Sequence, residues 1–173
     1  MKMPVARLKY SSIFKLNSEE DTGRLARMLS LALEGGEVIL LGGVMGSGKT
    51  FFVRAMARKL GSKILPNSAS FNIMRSYKGQ KLNVHHFDLF RLEEKHVPYL
   101  GIEEFLGDKN AVCVFEWGRP ARYLFSDSPF FEIELKLAGE NKRRARMSGV
   151  GQREMQIVRE IKKKWEKTDL FSR

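Results

Sequence analysis

The spacing of apolar residues changes several times along the chain, and each change marks an element. After Ser18-Glu19-Glu20-Asp21, where an acid three places beyond a serine is a weak helix-start signal, Leu25, Met28, Leu29 and Ala32 recur on one side of a helix that ends near Gly35-Gly36. Val38-Ile39-Leu40-Leu41 is apolar without alternation and reads as a buried strand. Phe52, Val53, Met56 and Leu60 then form the packing stripe of a helix from Phe51 to Leu60, stopped by Gly61. From there short strands alternate with polar loops. Ile64-Leu65 before Pro66 reads as a short strand, and Phe71 to Tyr77 as another with Arg75 on its polar side. Leu82, Val84 and His86 alternate with polar neighbours up to Phe87-Asp88-Leu89, and Gly101 to Leu106 reads as a short helix. Ala111 to Phe115 is the most buried-looking strand. Phe131, Ile133, Leu135 and Leu137 predict a strand with one wet face, and Gly139-Glu140-Asn141 turns it into a partner strand from Arg143 to Met147. Val150, Met155, Val158, Ile161 and Trp165 recur mostly at three- and four-residue steps, with Arg153, Lys163, Lys164 and Lys167 elsewhere, which predicts an amphipathic helix with a basic outer face. One α/β domain over residues 1–150 with a terminal helix over 151–173 is expected, the helix docking on the domain or serving a partner.

Between the first buried strand and the second helix lies Gly43-Val44-Met45-Gly46-Ser47-Gly48-Lys49-Thr50, a complete phosphate-binding loop in its proper strand-to-helix setting. Such a loop turns successive backbone N–H groups and the positive end of a helix onto a polyphosphate. Lys49 is placed to reach the terminal phosphates, and the Thr50 hydroxyl to bind Mg²⁺. Mg²⁺ also needs a carboxylate, and a hydrolase needs a group to orient water. Glu116 ends the apolar strand from Ala111 to Phe115 at the edge where phosphate loops lie, and Asp88 ends the strand containing His85 and His86. Either carboxylate serves the metal or the water, or else is a helix cap or a surface acid at the end of a strand. Neighbouring strand residues point to opposite faces, so at most one of the two histidines faces the site, and both read best as sheet histidines with satisfied hydrogen bonds. Trp117 packs over the nucleotide or on a partner, or else fills the sheet edge. No Asn-Lys-x-Asp guanine motif is supplied by the nearest string, Gly107-Asp108-Lys109-Asn110, so ATP is the expected nucleotide.

At 173 residues and 43% apolar composition the chain is long enough to bury a core without disulfides. The single cysteine, Cys113, lies in an apolar run and reads as a small hydrophobe. No stretch approaches the length of a membrane span and no secretory leader is recognisable, so a cytoplasmic protein without membrane contact is expected. Lys and Arg total 31 against 20 Asp and Glu, a net charge of +11. From Asn141 to Arg173 there are eleven basic and four acidic residues, so the tail carries +7 of that excess. A basic tail raises encounter rates with nucleic acid or an acidic protein without naming either.

In order, the loop, Ser68-Ala69-Ser70-Phe71, His86-Phe87-Asp88-Leu89-Phe90-Arg91-Leu92, Gly101-Ile102-Glu103-Glu104-Phe105 and Phe115-Glu116-Trp117 resemble the TsaE family over about Leu16 to Met147. The resemblance implies a small P-loop NTPase fold with a mixed parallel and antiparallel sheet flanked by helices. It also implies slow Mg²⁺-dependent ATP hydrolysis in support of tRNA threonylcarbamoyladenosine formation, together with the threonylcarbamoyl transferase heterodimer. On that pattern Glu116 is the essential glutamate, Trp117 the tryptophan beside it, Asp88 the motif aspartate, and Ser70 a switch hydroxyl that closes over the nucleotide. Three positions depart from it: Val44 replaces an aspartate, Ala69 a proline and Ser70 a threonine, although serine keeps the hydroxyl. Two other readings stay open. One is a small phosphotransferase with Arg119 and Arg122 as lid arginines, and the other a nucleotide-sensing adaptor with little turnover. The basic tail is a further candidate for tRNA contact.

Overall fold

The computed structural model describes residues 8–66 and 73–170. Its centre is one seven-stranded sheet: β1 (Lys9–Leu16), β2 (Val38–Gly42), β3 (Met74–Tyr77), β4 (Asn83–Asp88), β5 (Ala111–Glu116), β6 (Phe130–Leu137) and β7 (Arg143–Val150), in the order β1-β7-β6-β2-β5-β4-β3. Strands β6, β2, β5 and β4 run parallel, while β1, β7 and β3 pair antiparallel at the two sides. Mixed direction follows from the connections, because the tight turns before β4 and β7 make hairpins whereas β2 reaches β5 only through a long crossover.

Helix α1 (Glu19–Ala32) is started by Ser18, whose side chain accepts from the Asp21 N–H, as the sequence predicts. It packs with α2 (Lys49–Lys59) on one sheet face, over a core containing Phe14, Leu25, Leu29, Phe52, Met56 and Ile133. On the other face, 3₁₀ helices at Glu94–Tyr99, Ile102–Phe105 and Arg119–Phe125 cover β2, β5 and β4, where Phe87 stacks on Phe115 at 4.6 Å. Cys113 is buried there. Its thiol donates to the Phe105 carbonyl and burial pushes its pKa up to about 12, consistent with a hydrophobe rather than a nucleophile.

Helix α3 (Gln152–Leu170) lies across β1 and β7. Val158, Ile161 and Trp165 belong to the main core, and Trp165 meets Phe14 edge-on at 5.5 Å beneath the Arg24 guanidinium. Trp165→Ala should therefore cost about 3–5 kcal/mol of stability by the rule for truncating a buried aromatic. A melting curve measures it, and an unchanged midpoint would mean α3 is not part of the cooperative core.

The fold departs from the sequence pattern at several points. The segment before α1 contributes an edge strand, β1, whose signal is confined to Ser12, Phe14 and Leu16 on one face and whose partner β7 lies far along the chain, with Leu16 opposite Arg143 and Lys9 opposite Val150. Ile64-Leu65 forms no strand: Pro66 lacks an N–H, Ile64 is 73% exposed, and the Ser62 hydroxyl donates to the Ile64 carbonyl. The strand expected from Phe71 is described only over Met74–Tyr77, since residues 71 and 72 lie outside the described residues. Val150 closes β7 instead of opening the terminal helix. Arg153 does not join a free basic face, because it binds Glu37 at 2.9 Å, Glu34 at 3.1 Å and the Ala32 carbonyl at 3.0 Å. Among the described residues no helix is long and apolar enough to cross a membrane.

Candidate active site

β2 ends at Gly42 and α2 begins at Lys49, so the glycine loop is the whole connection between a buried strand and a helix N-terminus. Gly43, Gly46 and Gly48 all have φ in the left-handed range, at 133°, 74° and 102°. A Cβ on Gly43 would lie 2.4 Å from the Leu135 carbonyl oxygen and 2.6 Å from the Ser47 hydroxyl, whereas one on Gly46 or Gly48 would meet nothing within 4 Å. The loop is thus closed against the sheet behind and open in front. Ser47 is fully buried, with its hydroxyl unpartnered among the described residues. The first N–H groups of α2 have no intrahelical acceptor, which makes this mouth electropositive and suited to an anion.

Lys49 curls back over the loop. Its ammonium donates to the carbonyls of Gly43 at 2.8 Å and Val44 at 3.0 Å, and stands 3.9 Å from the centre of the Trp117 ring. Burial lowers its pKa, against the opposing pull of the Glu116, Asp88 and Glu134 charges. Trp117 reaches this position through a backbone φ of 56°, a left-handed conformation rare for a bulky residue and costing about 1–3 kcal/mol where it is enforced. Its N–H is anchored on the Leu41 carbonyl, and its ring packs on Phe90 at 5.1 Å. Trp117 therefore lies against Lys49 and not only along the sheet edge.

Glu116 is 3% exposed and is gripped at both oxygens. The Thr50 hydroxyl donates to Oε2 at 3.2 Å and His86 Nε2 stands 3.0 Å from Oε1. Facing a carboxylate, which only accepts, Nε2 carries the ring proton. Parallel pairing of β4 with β5 sets Asp88 directly opposite Glu116. Burial raises the Asp88 pKa, partly offset by the Phe90 N–H that its carboxylate accepts at 3.1 Å.

These oxygens suit Mg²⁺, a hard cation that takes few protein ligands and completes its shell with phosphate and water. Thr50, Glu116 and Asp88 supply a hydroxyl and two neighbouring carboxylates. Among the described residues no cluster of three or more His, Cys, Asp or Glu offers an all-protein cage instead.

The structure thus brings Lys49, Thr50, Asp88, Glu116 and Trp117 together around the loop from Gly43 to Gly48. Ser70, with the rest of the Ser68 to Phe71 segment, lies outside the described residues. Val44 is 57% exposed on the loop. Arg122 donates to Glu132 at 2.6 Å, which engages one of the two arginines a phosphotransferase lid would use. Sequence reasoning misses the contribution of His86 to the site. The rule that only one of two adjacent strand residues faces the site is the available signal, and the structure selects His86, while His85 bonds Ser76 at 2.7 Å.

A family model described as "Threonylcarbamoyl adenosine biosynthesis protein TsaE" matches residues 16–146. The tRNA threonylcarbamoyladenosine biosynthesis protein TsaE of Rickettsia felis is 35% identical over 130 residues, 74% of each chain. The protein of the same description from Aquifex aeolicus is 36% identical over 135 residues, 76% of this chain and 92% of its own. The crystal structure of Bacillus subtilis YdiB superposes with a TM-score of 0.73 at 25% identity, covering 90% of this chain and 97% of that one.

Proposed function

Since the chain belongs to the TsaE family, we propose that it hydrolyses ATP in support of N6-threonylcarbamoyladenosine formation at position 37 of tRNA, acting with a threonylcarbamoyl transferase and its paralogous partner subunit. The observation that carries this reading is the hydrogen bond from Thr50 to Glu116, which joins the phosphate loop to a buried strand-end carboxylate.

In this reading the amides of the loop from Gly43 to Thr50 and the positive end of α2 bind the polyphosphate. Lys49 exchanges its two carbonyl acceptors for phosphate oxygens and steadies the charge that develops on the transferring phosphoryl group. Thr50, Glu116 and Asp88 are the ligands offered to Mg²⁺, which when bound neutralises charge on the phosphate oxygens. Glu116, held by His86, orients water in line with the γ-phosphorus. The water oxygen bonds to that phosphorus as the bridging bond to the β-phosphate breaks, the bridging oxygen leaves on ADP, and the water protons pass to the released phosphate and solvent. Trp117 keeps water from one side of Lys49.

Product analysis with γ-labelled ATP, with and without the transferase subunits, is the test. Label in inorganic phosphate with faster turnover beside the partners is expected. Label on a small metabolite would replace the hydrolase with a phosphotransferase, and binding without turnover in either setting would leave an adaptor.

His86 is a positioning residue in this mechanism. His86→Ala should lower kcat about 10-fold, in the range typical for groups that orient a ligand residue, with KM for ATP within about 2-fold. His86→Gln, which keeps a donor, should recover most of that loss. Parallel losses in both variants, matched by falling melting temperature, would assign His86 to packing alone.

A further inference from the structure

The antiparallel part of the sheet, formed by β1, β7 and β6, is packed under α1 and α3 on one face, while its second face is covered at the end where Phe130 and Val150 join the core beside Phe125 and is open beyond it. Its second face carries Ile13 and Lys15 from β1, Arg144 and Arg146 from β7, and Glu134 and Lys136 from β6. Lys15, Arg144, Arg146 and Lys136 are exposed. Lys15 lies opposite Arg144, and Arg144 opposite Lys136, so three cations stand side by side across three strands. Strands are about 4.8 Å apart, and like charges directly opposite one another destabilise a sheet.

Glu134 stands opposite Arg146, but no carboxylate is paired in register with Lys15, Arg144 or Lys136. Among the described residues none of these four cations forms an ion pair, whereas Glu132 on the same face pairs with both Lys9 and Arg122. The terminal helix, whose six basic residues are set against four acidic ones, is less free. Arg153 is tied to Glu37 and Glu34, Arg159 lies over the Tyr10 ring, and Lys162 binds the Ile13 carbonyl and Glu166. The row also adjoins the active site, because Lys136 follows Leu135, whose carbonyl stands directly behind Gly43.

We propose that this open sheet face is a docking surface for the phosphate backbone of RNA, and, resting on the function proposed above, that the RNA is the tRNA to be modified. Regularly spaced phosphates supply the compensating charge that the row lacks, and neutralising them releases counterions. An interface with an acidic protein is the weaker fit, since a protein interface has an apolar or aromatic centre and this face exposes Ile13 as its apolar side chain. Docked here, the RNA lies beside the phosphate loop, and its position is open to the nucleotide state.

The test is binding of the full chain to an unmodified tRNA transcript, followed by fluorescence anisotropy across a salt series without ATP. Lys15→Glu/Arg144→Glu should weaken binding at least about 10-fold and reduce the slope of log K against log salt by about 1.5, the contribution of two phosphate contacts. Lys15→Gln/Arg144→Gln should give a smaller loss of the same kind, and Lys163→Glu/Lys164→Glu on α3 a change within about 2-fold. Unaltered tRNA binding in the sheet variants, an equal loss in the α3 variant, or no measurable binding by the wild-type chain would each overturn the proposal. So would sheet variants that keep tRNA binding but lose salt-sensitive association with the transferase subunits, which would assign the face to protein. Since binding is read without ATP, failure of the hydrolase reading would show separately, as absent phosphate release by the wild-type chain.

Discussion

Glu116→Gln is expected to slow ATP hydrolysis by about 10²-fold or more while leaving ATP affinity nearly unchanged, on the scale of losing a group that acts on water in the transition state. The substitution preserves size and a carbonyl oxygen for Thr50 to bond, so the loop keeps its neighbour. What it removes is the negative charge that His86 and Thr50 hold in place. Interactions made mainly in the transition state appear in kcat and not in binding. Single-turnover hydrolysis and calorimetric titration with a non-hydrolysable ATP analogue separate the two quantities. Wild-type turnover in this variant would remove Glu116 from the mechanism and make Asp88, directly across the strand pair, the leading carboxylate.

Lys49→Ala should fail in a different way, losing about 10- to 100-fold in ATP affinity as well as turnover, as expected when charge-assisted hydrogen bonds to phosphate are removed. The residue is 5% exposed, and its ammonium is held beside the loop by two carbonyls and an aromatic face, so phosphate oxygens would replace acceptors it already has within the loop. Burial that lowers its pKa is opposed by three carboxylates, and a bound polyphosphate would add to the side favouring the charged form. Titration of ATP and ADP into the variant, alongside its melting curve, is the check. Native ATP affinity in a folded Lys49→Ala protein would show that the loop amides alone carry binding. Loss of affinity in Glu116→Gln equal to that in Lys49→Ala would reject the division of labour between the two residues.

Much of this site is legible in the order of residues alone. Glycine at positions 43, 46 and 48 is required by local backbone geometry, and a lysine and a threonine opening a helix after a buried strand follow from the same short stretch. The end of an apolar run places Glu116 at a strand edge, and the pattern of Val84 to Asp88 does the same for Asp88. The helices after Ser18 and after the loop, and the hairpin before the terminal helix, depend on spacing within a few residues and are likewise legible.

Contacts between distant segments are not. Periodicity states which side of a strand is buried, but it says nothing about which strand lies beside it. That Asp88 stands opposite Glu116, that His86 and not His85 grips that carboxylate, and that β1 closes the sheet against β7 all depend on pairings set by long-range packing. Charge divides in the same way. A strongly basic end of the chain follows from composition, whatever the fold. Which cations stay unneutralised does not: several on α3 are engaged by neighbouring groups while Lys15, Arg144 and Lys136 are left side by side, because neutralisation depends on distances across the folded molecule and not along the chain.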